Sequence, residues 1–400
     1  MEIPAAAVMI VTVVLVVLRP RGLPEWVAAG TGLAVVAMLG VAEPTAIAAV
    51  VGRTAPVVVF LLAVTVLGRA AEHTGAFDAA ALAAGRVARG SGQRLLAAVL
   101  LAGLVTTTIL SLDATVVLLT PAVIALARRT GAPLLPLALA TVYVANTGSL
   151  LLPVSNLTNL LVVERLGGSW AFLRSMVLPQ AVAFLALWGV LAIWHREALG
   201  RPLVPEMPAP RSAVPDRTAL VVAVVAVAAL LPGVLLLHGW ALAGWSSAVA
   251  VLAVAGASRI GPTGWLGWVP WRLGMFVLAL FALVDASAGP VARLAELALG
   301  GGGPVRAGLV GAAVSNLVNN LPAFLLLEDL VADGTPLQGL LIGVNVGPNL
   351  MTVGSLATLL WLAILRQHNA APTSLDYLRW GLVVTPATLL PALLVAAWSG

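Results

Sequence analysis

The chain of 400 residues contains no cysteine, no lysine and only two tyrosines, and charged residues make up just 9% of it. The absence of cysteine excludes disulfides and thiolate metal sites within the chain. The four histidines are scattered and no HExxH motif occurs, so the sequence does not indicate an intramembrane metalloprotease. Without a nucleophile–base pair or a cluster of metal ligands, we expect no enzyme activity, no bound metal and no cofactor. The net charge of +5 says little about nucleic acid, and we expect no nucleic-acid partner.

Apolar residues, by contrast, make up 61% of the sequence and form long runs from end to end. A soluble domain could not keep that much apolar surface from water. The sequence therefore predicts an all-α, multi-pass protein of the cell membrane, in contact with the lipid bilayer. The first run, 5–18, lacks a basic leading region and a small-residue cleavage site, so we interpret it as a retained span.

One stretch, 195–217, is rich in proline and charge and cannot lie in lipid. It predicts a cytoplasmic linker between two membrane halves, 1–194 and 218–400. Plain apolar spans are predicted at 5–18, 26–41, 56–67, 170–194, 219–237, 241–254, 271–284 and 381–398.

Four further apolar segments are interrupted by polar residues. Segment 95–127 has 33 residues and one charge, Asp113. As a single helix it would be about 50 Å long, against a hydrocarbon core of about 30 Å. We therefore predict a re-entrant hairpin with its tip near 111–115, and a second hairpin at 307–327, around "SNLVNNLPAF". Segments 134–163 and 337–365 are predicted as two broken spans, which brings the total to about ten spans and two hairpins.

The two broken spans resemble each other. Written without gaps, 146–161 over 345–360 matches at seven of 16 positions, including an Asn-x-Gly start. If the hairpins are re-entrant, 16 of the 21 arginines fall on one side, which should be cytoplasmic. The halves would then have opposite orientations, the inverted repeat common in secondary transporters.

Polar side chains at hairpin tips and helix breaks predict a binding chamber, because the freed backbone groups there must be satisfied by protein or water. Asp113, the lone acid in its segment, is the candidate carrier of a coupling proton. The candidate substrate-binding residues are all uncharged: Thr115, Asn146, Ser155, Asn156, Asn159, Asn316, Asn319, Asn320, Ser355 and Thr358. Single asparagines in membrane helices also serve as interhelical hydrogen-bonding groups, and that alternative stays open for each one.

Three stretches resemble the arsenical pump membrane proteins, the ArsB-type arsenite efflux transporters of the ion transporter superfamily. They are "GPNLMTVGSLATLLWLAIL" (347–365), "SNLVNNLP" (315–322) and "SNLTNLL" (155–161). The resemblance implies two inverted repeats, each with a hairpin and an interrupted helix. Three positions depart from the family pattern, since Leu112, Asn146 and Asn349 stand where Asn, an acid and Lys are common.

The resemblance implies a secondary transporter that exports arsenite and antimonite, which are mainly uncharged hydroxides at neutral pH, in exchange for protons. A cytoplasmic ATPase subunit is an additional partner that the sequence leaves open. The alternative is an Na⁺-coupled carboxylate transporter or an Na⁺/H⁺ antiporter of the same superfamily, because the hairpin pattern is shared.

Overall fold

The computed structural model describes residues 2–18, 20–203, 217–256, 264–287 and 289–399, and every regular element in these ranges is helical. The first half contains α1 (Glu2–Leu18), α2 (Glu25–Met38), α3 (Pro44–His73), α4 (Ala76–Ala88), α5 (Gly92–Ile109), α6 (Leu112–Thr130), α7 (Leu134–Thr147), α8 (Leu157–Val162), α9 (Gly168–Trp194) and α10 (Arg196–Leu199). The second half contains α11 (Arg217–Leu236), α12 (Gly239–Gly256), α13 (Trp271–Ser287), α14 (Gly289–Leu299), α15 (Pro304–Val318), α16 (Asn320–Leu327), α17 (Thr335–Val346), α18 (Leu356–Gln367) and α19 (Ser374–Ser399).

Five of these helices are long and apolar enough to cross a bilayer: Pro44–His73, Gly92–Ile109, Gly168–Trp194, Gly239–Gly256 and Ser374–Trp398. Shorter apolar helices lie between them. The predicted span 56–67 is the middle of α3, which continues through Arg53 at one end and Arg69 at the other. The sequence did not predict α4 or α14. Residues 204–216, most of the predicted linker, lie outside the described ranges.

Both halves contain a helical hairpin followed by a broken helix. In the first half α5 and α6 meet at residues 110–111, where Ser111 Oγ caps α6 by accepting from Ala114 N at 3.1 Å. In the second half α15 and α16 meet at Asn319, whose φ of +79° lies in the region that favours glycine. The two arms of the first hairpin, α5 and α6, have 18 and 19 residues, or about 27–29 Å each. Because each arm is nearly as long as the hydrocarbon core is thick, the re-entrant course of this hairpin remains a prediction.

Each broken helix ends in irregular backbone and restarts at a polar cap. Between α7 and α8 the chain passes through Pro153 to Asn156, whose Oδ1 accepts from Thr158 N. Between α17 and α18 it passes through Pro348 to Ser355, whose Oγ accepts from Thr358 N. Proline supplies no N–H and an N-terminal cap satisfies freed N–H groups, so these residues favour a break at both places.

The second hairpin packs on its broken helix backbone to backbone. A Cβ on Gly343 of α17 would collide with the carbonyl of Gly308 on α15. Such close approach of two helices requires glycine and is typical of packing in lipid. Helices of the two halves also pack against each other in pairs: α2 with α13, α3 with α12, α6 with α18, and α9 with α19.

Candidate functional site

The two hairpin tips and the two helix breaks converge on one small cavity. Its volume is about 60 Å³. The first tip contributes residues 110–113 and the second contributes residues 319–321. The breaks contribute Asn156 and Leu356, and α3 and α13 close the sides. The lining residues are Phe60, Leu61, Val64, Leu110, Ser111, Leu112, Asp113, Val154, Asn156, Leu157, Leu160, Leu273, Phe276, Val277, Asn319, Asn320, Leu321 and Leu356.

Asp113 is the only charged residue in this lining. It lies in the first turn of α6, next to the cap formed by Ser111. Its Oδ1 is buried and has no hydrogen-bond partner among the described residues. The carboxyl group therefore lies at the positive end of the α6 dipole, in a lining that is otherwise apolar or uncharged.

Asn345 links the two helix breaks through three side chains of the first half. Its Oδ1 accepts from Asn156 Nδ2 at 2.6 Å and from Thr158 Oγ1 at 3.0 Å. Its Nδ2 donates to Asn159 Oδ1 at 2.8 Å. Asn345 is 1% exposed, so these bonds form in a buried environment where leaving them unmade is costly.

A second set of hydrogen bonds lies on the α7 side of the breaks. Asn146 Nδ2 donates to Asn349 Oδ1 at 3.0 Å and lies 3.4 Å from Thr358 Oγ1. Asn349 Nδ2 in turn donates to Thr147 Oγ1 at 2.8 Å. Asn146 Oδ1 is buried and without a partner among the residues that the structure describes.

The predicted site residues therefore fall into two groups. Asp113, Asn156, Asn319 and Asn320 line the cavity. The others are buried in the hydrogen-bond networks around it: Thr115, Asn146, Ser155, Asn159, Asn316, Ser355 and Thr358.

Two members of the second group tie a hairpin to a break, and a third, Thr115, joins the two arms of the first hairpin. Thr115 is hydrogen-bonded to Thr107 across the first hairpin at 2.8 Å. Ser155 Oγ donates to the carbonyl of Thr108, near the same tip, at 3.2 Å. Asn316 Nδ2 donates to the carbonyl of Gly347 at 2.8 Å, and Asn316 Oδ1 accepts from the N–H of Met351 at 3.0 Å. These side chains satisfy the freed backbone that the sequence predicted.

Sequence reasoning missed Asn345, Asn349 and Phe60. The signal for Asn345 was present, because the alignment of the two broken spans places it opposite Asn146. Asn349 stands in the same "NVGPN" stretch. Phe60 belongs to an apolar helix, and nothing in the sequence around it indicates that it lies beside the cavity.

A larger cavity of about 480 Å³, which we call the vestibule, lies at the α8 end of the first broken helix. Its lining includes the ion pair between Arg53 of α3 and Asp285 of α13, with an N–O distance of 2.6 Å. Arg165 also lines it and joins the loop after α8 to the loop after α16. Arg165 Nε lies 2.8 Å from Asp333 Oδ1, and Arg165 Nη1 donates to the carbonyl of Glu328 at 3.1 Å.

Glu328 lies in the turn after α16 and also lines the vestibule. Burial, and then the neighbouring carboxylate of Asp329, raise the pKa of Glu328 to about 7, while Arg165 and Arg53 act in the opposite direction. This carboxyl therefore titrates near neutral pH. Within the described ranges, no group of three or more His, Asp or Glu side chains is arranged to hold a metal ion.

A helical membrane protein in which hairpin tips and broken helices enclose a cavity, here with one carboxyl group, one hydroxyl group and three amides among apolar side chains, has the construction of a secondary transporter. The comparisons agree: the model of the citrate transporter family (CitMHS) matches residues 9–362, and the chain belongs to this family. The chain is 28% identical to the arsenical pump membrane protein of Escherichia coli over 98% of this chain and 96% of the relative. It is 27% identical to the arsenical pump membrane protein of Yersinia enterocolitica, with the same coverage.

The fold has a relative of known structure. The Alcanivorax borkumensis YdaH transporter matches with a TM-score of 0.57 and 14% identity over 86% of this chain and 85% of that one. The arsenical pump relatives confirm the predicted resemblance to arsenical pump membrane proteins. The family and the apolar helices confirm the prediction of a multi-pass protein of the cell membrane. The class is transporter rather than enzyme.

Proposed function

We propose that this protein exports arsenite and antimonite in exchange for protons. The observation that carries the proposal is the small cavity, whose lining combines one carboxyl group, Asp113, with the uncharged amides Asn156, Asn319 and Asn320. A neutral trihydroxide needs hydrogen-bond donors and acceptors rather than a counter-charge, and amides supply both. The names of the arsenical pump relatives support the same substrate class.

The exchange requires that proton and substrate use the site alternately. Asp113 would accept a proton when the site is open to the outside, and would release it to the cytoplasm when the site is open inward. Substrate entering from the cytoplasm would then find an ionised carboxylate, which accepts hydrogen bonds from its hydroxyl groups. Protonation of Asp113 on the outer side weakens those bonds and favours release.

We also propose that the two halves, 1–194 and 218–400, are inverted repeats. Two buried pairs support this: Asn146 with Thr358, and Asn345 with Asn159. Each residue in one pair corresponds to a residue in the other pair when the two broken spans are aligned. The helix caps Asn156 and Ser355 correspond in the same alignment.

The inverted topology places residue 128 and the 195–217 linker in the cytoplasm and residues 164–169 outside. Because the chain has no cysteine, single cysteines introduced at Arg128 and Glu164, both exposed, can be labelled with an impermeant thiol reagent. We expect labelling of intact cells at Glu164→Cys only. Labelling at Arg128→Cys from outside would rule out this topology. A cytoplasmic ATPase subunit, if one associates, would dock on the linker side.

The family description favours a second candidate, a carboxylate carrier of the citrate type. The small cavity speaks against it, because no arginine contributes to its lining and its volume of about 60 Å³ is small for a tricarboxylate. Arginine is the usual partner of a carboxylate. The N-termini of α6, α8, α16 and α18 at this cavity also favour an anion, but the carboxyl group of Asp113 already lies among them.

Flux into liposomes that contain only the purified protein separates the candidates. We expect an imposed proton gradient to drive arsenite in the direction opposite to the flow of protons, with no requirement for Na⁺ or ATP. Protein-free liposomes measure the leak, and citrate measured in parallel tests the second candidate. Na⁺-driven citrate uptake without arsenite flux would reject the proposal.

A further inference from the structure

The vestibule and the small central cavity touch at two side chains. Phe60 of α3 and Leu160 of α8 line both cavities. Phe60 is 2% exposed. These two side chains therefore form the wall that separates the large outer cavity from the site where Asp113 and the asparagines converge.

Helix α13 shows how the two cavities lie relative to each other. Its residues Phe276 and Val277 line the central cavity, whereas Val284 and Asp285, two turns further along, line the vestibule. Two turns of helix correspond to about 11 Å. The vestibule is thus a continuation of the central cavity along α13, toward the side that bears Arg53, Arg165 and Glu328.

The end of the first broken helix away from the vestibule is filled by aromatic side chains. Tyr143 of α7, Trp361 of α18 and Tyr377 of α19 are fully buried. Their ring centroids lie 5.5 Å apart for the two tyrosines and 5.8 Å apart for Trp361 and Tyr377. Trp361 Nε1 also donates to the carbonyl of Ala138 at 2.9 Å, which ties α18 to α7. The vestibule, by contrast, is a wide cavity directly beside the site.

We infer that Phe60 and Leu160 are the outer barrier of the transport path, and that the vestibule is the route by which substrate leaves the central cavity. This inference rests on the proposed function for its direction. Both side chains lie where movement is easy. Pro56, one turn before Phe60, deprives α3 of a backbone hydrogen bond, and α8, which carries Leu160, has only six residues.

The test is the accessibility of two single cysteines on α13 in this cysteine-free chain. Asp285→Cys reports on the vestibule, where this position is exposed, and Val277→Cys reports on the central cavity. With a charged, impermeant thiol reagent added outside intact cells, we expect fast labelling of Asp285→Cys and slow labelling of Val277→Cys. Adding Phe60→Ala or Leu160→Ala should speed labelling of Val277→Cys by about tenfold or more, the change that about 1.4 kcal/mol of barrier corresponds to.

Two controls distinguish opening of the barrier from damage to the fold. Leu61→Ala removes a similar side chain from the central cavity but not from the vestibule, and should leave labelling of Val277→Cys unchanged. Leu139→Cys, fully buried in α7, should stay unlabelled in the Phe60→Ala and Leu160→Ala backgrounds if the fold is intact.

Unchanged labelling of Val277→Cys in both the Phe60→Ala and the Leu160→Ala backgrounds would overturn the inference. So would labelling of Asp285→Cys only from the cytoplasmic side in inverted vesicles. Because accessibility is measured without arsenite, a failure of the proposed substrate leaves these rates unaltered. If arsenite export is intact but the labelling rates do not change, the assignment of Phe60 and Leu160 as the barrier is wrong and the proposed function still stands.

Discussion

Asn345 Nδ2 donates a hydrogen bond of 2.8 Å to Asn159 Oδ1, and so joins the helix before the second break to the helix after the first. The two residues are 186 positions apart and are both buried. Their bond makes the two broken helices a single hydrogen-bonded unit. If one break moves, the other therefore has to move with it, or buried hydrogen bonds are broken.

Replacement of Asn345 tests that unit. In Asn345→Ala, the buried polar atoms of Asn156, Thr158 and Asn159 lose their common partner, at a cost of about 1–3 kcal/mol for each buried group left unsatisfied. We expect a clear drop in the apparent Tm of purified protein, followed by tryptophan fluorescence, together with loss of transport. Gln367→Ala, which removes an exposed amide from the end of α18, should change neither.

Neutralisation of Asp113 tests proton coupling. Asp113→Asn keeps the shape of the side chain but cannot cycle a proton. We expect normal abundance, loss of arsenite transport driven by a pH gradient, and retention of arsenite–arsenite exchange across liposomes. Glu296→Gln, an exposed acid on α14, should transport like the unmodified protein. Undiminished pH-driven flux in Asp113→Asn would assign coupling to another group.

Asn320 and its neighbour Asn319 should respond differently to alanine. The bond of Asn320 to the second break runs from its backbone N–H to the carbonyl of Gly354 at 2.9 Å, so Asn320→Ala leaves it in place. Loss of one hydrogen bond to a neutral ligand costs about 0.5–1.5 kcal/mol, so arsenite affinity should fall roughly threefold to tenfold at normal protein abundance. Binding like that of the unmodified protein would make the Asn320 amide a structural group.

Asn319→Ala should lower abundance, because the Asn319 side chain donates to the carbonyl of Val353 at 3.2 Å and the backbone has a φ of +79°. Gln367→Ala is again the control for both variants. Asn369 is less suitable, since its φ of +54° makes alanine unfavourable there.

The raised pKa of Glu328 predicts a pH dependence of stability. The pKa is about 7 in the folded protein against an ordinary value of 4.5, so the folded state holds the proton more tightly. The contribution of this group to stability is therefore fully present below pH 4.5 and is lost as the pH rises through about 7. We expect Glu328→Gln to flatten the fall in apparent Tm between these values, measured at one scan rate. An unchanged profile would show that Glu328 titrates normally.

Gly343 tests the close packing of the second hairpin on α17. A Cβ at this position meets the backbone carbonyl of Gly308, which cannot rotate away as a side chain would. Overpacking of this kind costs about 1–3 kcal/mol, so Gly343→Ala should lower the apparent Tm. Gly244→Ala, on α12 with nothing within 4 Å of the added methyl, should not. Equal Tm values for the two variants would mean that α15 and α17 are free to separate.

The sequence by itself determined the membrane class, the helical fold, the places where helices break, and the family. Each of these depends on local information: apolar runs, prolines such as Pro153 and Pro348, and caps such as Ser111, Asn156 and Ser355. It located the polar clusters for the same reason. It did not predict the amphipathic helix α4 or the full length of α3, because charged residues at helix ends look like boundaries in an apolar pattern.

Tertiary structure alone decided which polar side chains face the cavity and which face each other. Thr115 and Asn159 have the same chemistry as the lining residues, yet Thr107 and Asn345 take up their hydrogen bonds. Phe60 and Leu160 are ordinary apolar residues that packing alone places between two cavities. A buried polar group must find a partner, but the partner is set by the approach of helices far apart in sequence, which local pattern does not encode.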